Sequence, residues 1–242
     1  MRIIAKTDVG RVRSSNQDSY AAGEFRNGVA WAVVCDGMGG YAGGNIASST
    51  AVKYISERIT AAYRENMESS SIKNLLVTAI KNANYEIFDA AKESEELQGM
   101  GTTVVAALMT DNTVYVAHAG DSRAYLVTQD GIQRLTRDHS IVQTMLENGE
   151  ITEEEAMKHP KRNLITRALG VEEELKVDFT EENTDAQSVL LLATDGLSNY
   201  VEDASILPIV RDNFGADYAS LLVDLANENG GGDNITVVGI SE

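Results

Sequence analysis

Asp-Gly occurs twice in the chain, at Asp36-Gly37 and Asp195-Gly196, and each copy follows a continuous apolar run. Val33-Val34-Cys35 leads into the first, and Val189-Leu190-Leu191-Leu192-Ala193-Thr194 into the second. Runs of this kind, ended by glycine, read as buried strands that stop at a turn. A third segment, Tyr115 to Ala119, ends at Gly120-Asp121, and a fourth, Ile235 to Val238, begins just after Asp233-Asn234. Carboxylates at the ends of core strands can face one another across one rim of a fold. A hard divalent cation prefers oxygen donors of that type.

Two glycine- and arginine-bearing loops accompany these acids. Asp36-Gly37-Met38-Gly39-Gly40-Tyr41-Ala42-Gly43-Gly44 admits the bland reading of a flexible turn. It also matches the G-x-G-x-x-A dinucleotide pattern, but two helical patterns follow in succession, so the second strand with its ribose-binding acid is missing. Asp36 would also direct its charge at the pyrophosphate. No Lys-Ser or Lys-Thr follows, which excludes a Walker loop. A glycine after a ligand aspartate has another use: its backbone carbonyl can approach a cation or its water. The second loop, Gly10 to Asp18, carries Arg13. An exposed loop arginine is usually solvated, yet in an acidic protein a phosphate substrate needs a local cationic anchor, and guanidinium grips phosphate at two points.

The elements that must position these residues follow from periodicity. Strands are expected at 2–7, 19–24 and 29–36, then two long helices. Val52, Ile55, Ile59 and Ala62 form the apolar stripe of the first, and Leu76, Ile80, Ala83, Ile87 and Ala91 that of the second. Strands follow at 101–109, 113–119, 122–128 and 132–135, separated by turn residues that imply antiparallel pairing. Residues 140–170 are polar and short-helical. Strands near Val177 and Val189, two helices within 203–229 and a last strand to Ile240 complete the chain. Grouped strands and paired helices indicate an α+β fold, a sandwich of sheets with helices outside. With Pro160 and Pro208 the only prolines and no linker-like tract, residues 1–242 read as a single domain.

Composition narrows the partners. With 37 acids against 20 bases the net charge is −17, which disfavours nucleic acid and anionic membrane surfaces. Cys35 is the sole cysteine, so an internal disulfide and a thiolate zinc site are both ruled out, and a buried inert thiol is expected. No apolar stretch reaches the roughly 18 residues of a membrane span, and the N-terminus lacks a signal-peptide pattern. A soluble, cytoplasmic protein is the expectation.

The ordered blocks VRSSNQD (12–18), DGMGG (36–40), GT (101–102), GDSR (120–123), DHS (138–140), ITRALG (165–170), TDGL (194–197) and DNIT (233–236) resemble the PPM, or type-2C, metal-dependent protein phosphatases, bacterial branch. The resemblance spans nearly the whole chain. It implies a four-layer α/β/β/α sandwich of two antiparallel sheets flanked by helix pairs, with a flap at 140–170. It also implies hydrolysis of phosphoserine and phosphothreonine in proteins, opposing a eukaryotic-type Ser/Thr kinase, by a monomer without membrane insertion. By matching blocks, Asp36 resembles the acid bridging two Mn²⁺ or Mg²⁺ ions, and Gly37 offers one of them its carbonyl. Asp195 and Asp233 match the remaining side-chain ligands of the first ion. Asp121 matches the acid that, with Asp195, holds a third ion in bacterial relatives, Asp18 an acid near the second ion, and Arg13 the phosphate-binding arginine. Water acidified between two cations would attack phosphorus in line, with no phosphoenzyme.

One departure concerns the leaving group. Many eukaryotic relatives carry histidine where Met38 stands, and methionine transfers no proton; water at a cation is the expected substitute. Strand alternation places His118 opposite Asp121 as a core histidine. His139 is expected to be structural or to help by hydrogen bonding, and His159 to be exposed. The rival reading is a catalytically silent phosphatase-fold protein that binds phosphoproteins or acts as a sensor, but such copies tend to lose their metal acids, all of which are present here. Cys-x5-Arg chemistry fails at Tyr41, and haloacid-dehalogenase chemistry fails at Val34 and Ala193. A GDS-type esterase would need His-Asp support for Ser122.

Overall fold

The computed structural model describes residues 1–39 and 43–242; Gly40, Tyr41 and Ala42 of the glycine-rich stretch lie outside the described residues. Among the described residues, eleven strands form two antiparallel sheets. One sheet runs β1 (Arg2–Asp8), β11 (Ile235–Ser241), β10 (Val189–Ala193), β7 (Arg123–Val127) and β8 (Ile132–Arg134). The other runs β2 (Asp18–Glu24), β3 (Ala30–Met38), β5 (Val104–Met109), β6 (Thr113–Ala119) and β9 (Asp178–Asn183), with short β4 (Gly101–Thr102) on the end of β3.

Side-chain alternation along the strands creates three apolar layers. Trp31, Val33 and Cys35 of β3 face α1 (Gly43–Ala62) and α2 (Ser69–Glu93), meeting Ile55, Ile59, Leu76 and Ile80 from the expected stripes. Ala62, expected on the first stripe, lies exposed at the helix end. Ala30, Ala32 and Val34 face the opposite sheet, packing with Val105, Val116, Leu190, Leu192, Val238 and Ile240. On the far side, Tyr125, Leu191 and Val237 meet α6 (Asp203–Asp212) and α7 (Tyr218–Glu228) through Ile206, Tyr218 and Leu222. The layers are therefore helix, sheet, sheet, helix. The central strands β5, β6, β10 and β11 are covered on both faces, which is why they read as near-unbroken apolar runs, whereas the outer strands β1, β2, β8 and β9 stay partly exposed.

The 140–170 segment carries α3 (Ile141–Glu147) and α4 (Glu153–Lys158). α4 starts with a capping box in which Thr152 and Glu155 satisfy each other's backbone N–H groups. Its ends return side by side, joined by the Ser140–Ile165 bridge, and its exit is stitched to β4 by the Thr102–Leu169 bridge. Asn84 of α2, 1% exposed, secures that exit. Its Nδ2 donates to Glu172 O and Glu173 O at 3.0 and 2.9 Å, and its Oδ1 accepts Gly170 N–H at 2.8 Å. An apolar replacement leaves three backbone groups without this partner. Asn84→Ala is therefore expected to lower unfolding free energy by at least ~2 kcal/mol, read from urea unfolding; an unchanged midpoint would show that the anchor contributes nothing.

Candidate metal centre and phosphate cleft

The acids gather where the layer between the sheets runs out of apolar residues. The inter-sheet row of β3 is Ala30, Ala32 and Val34, and its next member is Asp36. Asp18 lies directly opposite Asp36 in the β2–β3 register. On the other sheet the row Leu190, Leu192 continues to Thr194, and Ile240, Val238 to Thr236 and Asn234. Four strands thus carry oxygen-bearing side chains on the same internal face near one end. β3 does not stop at Asp36-Gly37 as its glycine suggested: it runs on to Met38, because Gly37 and Met38 pair with Thr102 and Gly101. Asp195 also opens a short helix, α5 (Asp195–Ser198), rather than an open turn.

Asp18 is held by hydroxyls. Thr194 Oγ1 and Thr236 Oγ1 donate to its Oδ2 at 2.9 and 2.7 Å. Thr194 Oγ1 accepts Thr236 N–H at 2.9 Å, and Thr7 stands 2.8 Å behind Thr236. Asp18 Oδ1 and Asp195 Oδ1 are buried without a hydrogen-bond partner among the described residues. Asp195 Oδ2 accepts from Asn199 at 2.9 Å. Asp36 is aligned through its backbone: its N–H donates to Thr103 Oγ1 at 3.0 Å, and its carbonyl accepts from Thr103 N–H and Thr102 Oγ1. No larger residue fits at Gly37, where a Cβ would lie 2.1 Å from Gly44 O.

Asn234 fastens the arginine loop. Its Oδ1 accepts Gln17 N–H, and its Nδ2 donates to Val9 O and Ser15 O, all within 2.9 Å. That loop brings Arg13 to Asp233, with Nη2 donating to Oδ2 at 2.8 Å. Thr194, Thr236 and Asn234 sit inside recognised blocks, yet their role was not legible. It depends on two sheets meeting, and only the polar interruption of apolar strand rows hinted at it.

These residues enclose a cleft of about 430 Å³ lined by Arg13, Asp36, Gly37, Asp121, Asp195 and Asp233, with Asn163 and Ile165 contributed by the 140–170 segment. Asp18 stands behind Asp36. Met38 lines the cleft, and none of the three histidines does. His118 is buried, as expected, but not by facing away: its row contains Val114 and Val116 of the inter-sheet layer. Its ring stacks on that of His139, and the chain then turns at Gly120 (φ +116°) before Asp121. His159 is half-buried rather than exposed, capping α4 and accepting Lys161 N–H. Cys35 is buried and free, its thiol pKa pushed up by burial.

The donor set consists of hard oxygens only, and it is short of positive charge. Burial raises the Asp18 carboxyl from 3.8 to about 7, opposed by its two threonine bonds. Burial and neighbouring carboxylates hold Asp36 and Asp121 well above the ordinary range, and Asp195 is raised by burial and Asp233. Two buried carboxylate oxygens without partners, amid mutually repelling acids, fit divalent cations. The sign of the linkage follows. Between the ordinary carboxylate pKa and about 7 the folded chain binds protons that the unfolded chain has lost, so stability falls as pH rises through that window. In chelator-treated protein, the thermal midpoint is expected to drop between about pH 5 and 7.5, with a smaller drop in Asp18→Asn. A flat profile would contradict this electrostatic picture.

The family model for protein phosphatase 2C matches residues 10–223. The serine/threonine phosphatase stp of Listeria innocua is 39% identical over 237 residues, covering 96% of this chain and 92% of its own length. The crystal structure of the serine/threonine phosphatase Stp1 from Staphylococcus aureus superposes with a TM-score of 0.92 at 33% identity, covering 99% of this chain and 94% of that one. The catalytic domain of the serine/threonine protein phosphatase PstP, solved with two manganese ions, gives 0.85 at 34% identity, covering 98% and 96%. With the sandwich, the cleft of acids and these likenesses in agreement, the chain belongs to the protein phosphatase 2C, or PPM, family of serine/threonine phosphatases.

Proposed function

We propose that this phosphatase hydrolyses phosphoserine and phosphothreonine in proteins at the Asp36 cleft, with two bound Mn²⁺ or Mg²⁺ ions and a third held by Asp121 and Asp195. Asp36 and the Gly37 carbonyl, with Asp195 and Asp233, would hold the first pair. Asp18 would act on the second ion through its free Oδ1 or through water. Cations bound there would offset the carboxylate charge, lower the pKa of water and polarise the phosphoryl oxygens. The chain's own contribution is alignment. Backbone bonds to Thr102 and Thr103 fix Asp36, the two threonine hydroxyls leave one oxygen of Asp18 open, and Asn234 holds the loop that carries Arg13.

Arg13, at the mouth beside Asp233, binds the phosphoryl group and offsets its equatorial charge as water attacks from the far side. The leaving alkoxide would take its proton from water at a cation, a reading supported by Met38 being no acid and by the histidines lying outside the cleft. Residues 1–242 act as one unit, with 140–170 as a flap beside the site. We further propose a cytoplasmic, monomeric enzyme whose substrates include a cognate Ser/Thr kinase. Among the described residues no helix is long and apolar enough to cross a membrane.

The single observation that carries this reading is the convergence of Asp36, Asp121, Asp195, Asp233 and Arg13 on one cleft. Purified protein is expected to release phosphate from a phosphothreonine peptide with Mn²⁺, and to stop when chelator is added. Asp36→Asn and Asp233→Asn should fall to background; turnover that survives chelator would overturn the metal mechanism. Arg13→Ala is expected to lower kcat/KM by on the order of 10²-fold, chiefly through weaker phosphate binding. Met38→His should alter the pH dependence of kcat, and an unchanged profile would mean that position 38 plays no part in proton delivery.

A further inference from the structure

Asp121 is braced from behind by a side chain that does not reach the cleft. His139 is 1% exposed. Its backbone N–H donates to Gly120 O at 3.0 Å, and its carbonyl accepts Thr166 N–H at 2.7 Å. The ring then returns to the same glycine, with Nδ1 accepting Gly120 N–H at 3.1 Å. A backbone amide can only donate, so Nδ1 bears the lone pair and Nε2 the proton. Nε2, with its proton toward Asp178 Oδ2 at 3.2 Å, also lies 2.9 Å from Arg167 Nη1; both are donors in this tautomer, so that approach is a packing contact, and Arg167 Nη1 donates to Asp178 Oδ1 at 2.8 Å. His118 covers the ring, with centroids 4.6 Å apart and planes 8° from parallel.

His118, His139 and Asp178 present donor atoms within 4.8 Å of one another, but the arrangement opposes a cation. Nearly parallel stacked rings do not aim in-plane lone pairs at one point, His139 Nε2 carries a proton, and Arg167 already neutralises Asp178. What the cluster does is immobilise the His139 ring, and through it both polar groups of the Gly120 backbone. Gly120 itself has no room for a side chain: a Cβ there would lie 2.6 Å from the Thr103 side chain. On the other flank, Ser122 Oγ is bonded to Thr103 Oγ1 at 2.7 Å, and that hydroxyl also accepts Asp36 N–H. Asp121 is therefore bracketed, by His139 before it and by Thr103 after it.

We propose that His139 is a positioning residue that sets the orientation of Asp121 through Gly120 and ties it to the base of the flap at Thr166 and Arg167. This rests on the reading of Asp121 as a cation-holding acid. Metal-supporting residues one shell removed from the ligands commonly change affinity by about 10- to 100-fold when lost.

The test compares the intact wild-type protein with Asp121→Asn, His139→Gln and His139→Asn, measuring Mn²⁺ binding by calorimetric titration and phosphopeptide turnover against Mn²⁺ concentration. Asparagine can place its Oδ1 where Nδ1 accepts Gly120 N–H, whereas glutamine reaches the Nε2 position and drops that bond. His139→Gln is expected to weaken the most loosely bound Mn²⁺ by about tenfold and to lower kcat with little change in peptide KM. Asp121→Asn should do the same, and His139→Asn should recover most of the loss. If both His139 variants fold and bind Mn²⁺ alike, the proposal is overturned while the Asp121 reading stands. If Asp121→Asn leaves Mn²⁺ binding unchanged, the Asp121 reading itself fails, and the proposal with it.

Discussion

Mutual repulsion among carboxylates at the open end of the inter-sheet layer is the constraint that the rest of this structure answers. Asp18, Asp36, Asp121, Asp195 and Asp233 come from separate stretches of chain, and bringing them together in a poorly solvated place is unfavourable. The fold holds them there with neutral donors and one arginine rather than with matching cations. Threonine hydroxyls take Asp18, backbone amides and hydroxyls align Asp36, Asn199 takes Asp195, and Arg13 takes Asp233. Rigid dipoles keep the acids in place while leaving a surplus of negative charge to attract divalent ions.

The same economy explains why the sheets are so apolar along their length. A strand sealed by helices on one face and a second sheet on the other has no solvent side, so its polar residues can appear only at its ends. Small residues such as Ala30, Ala32 and Ala107 fill the inter-sheet layer, which allows the sheets to approach closely. That approach puts Asp18 of one sheet within hydrogen-bonding distance of Thr194 and Thr236 of the other. The site is a seam between sheets, and it cannot form in either half alone.

Around the seam, the loops are fastened in ways that link separate parts of the molecule. Asn234 binds the 9–17 loop to the start of β11, Asn84 binds the exit of the 140–170 segment to α2, and His139 binds its entrance to Gly120. Each is a buried polar side chain whose partners are backbone groups distant in sequence. Backbone partners tolerate side-chain variation in the loops themselves, so such anchors can hold a site steady while its rim changes.

Much of this was readable from the chain alone. Alternation and helical spacing located the strands and both long helices, because burial on a pleated or helical surface imposes a local period. The ordered blocks pointed to the family and to the acids of the cleft, because close packing constrains their neighbours, such as the glycine after Asp36, where a Cβ would meet Gly44 O. Other features escaped. The extension of β3 to Met38 depends on β4 arriving as a partner, the short helix at Asp195 overrode a turn signal, and the stacking of His118 on His139 joins two segments that no local pattern relates. The clamp on Asp18 and the grip of His139 on Gly120 join residues 176 and 19 positions apart. Local sequence sets what each segment can be, through backbone sterics and side-chain period; which oxygen meets which hydroxyl is set only when the sheets close on one another, since no short-range preference encodes a distance across a folded core.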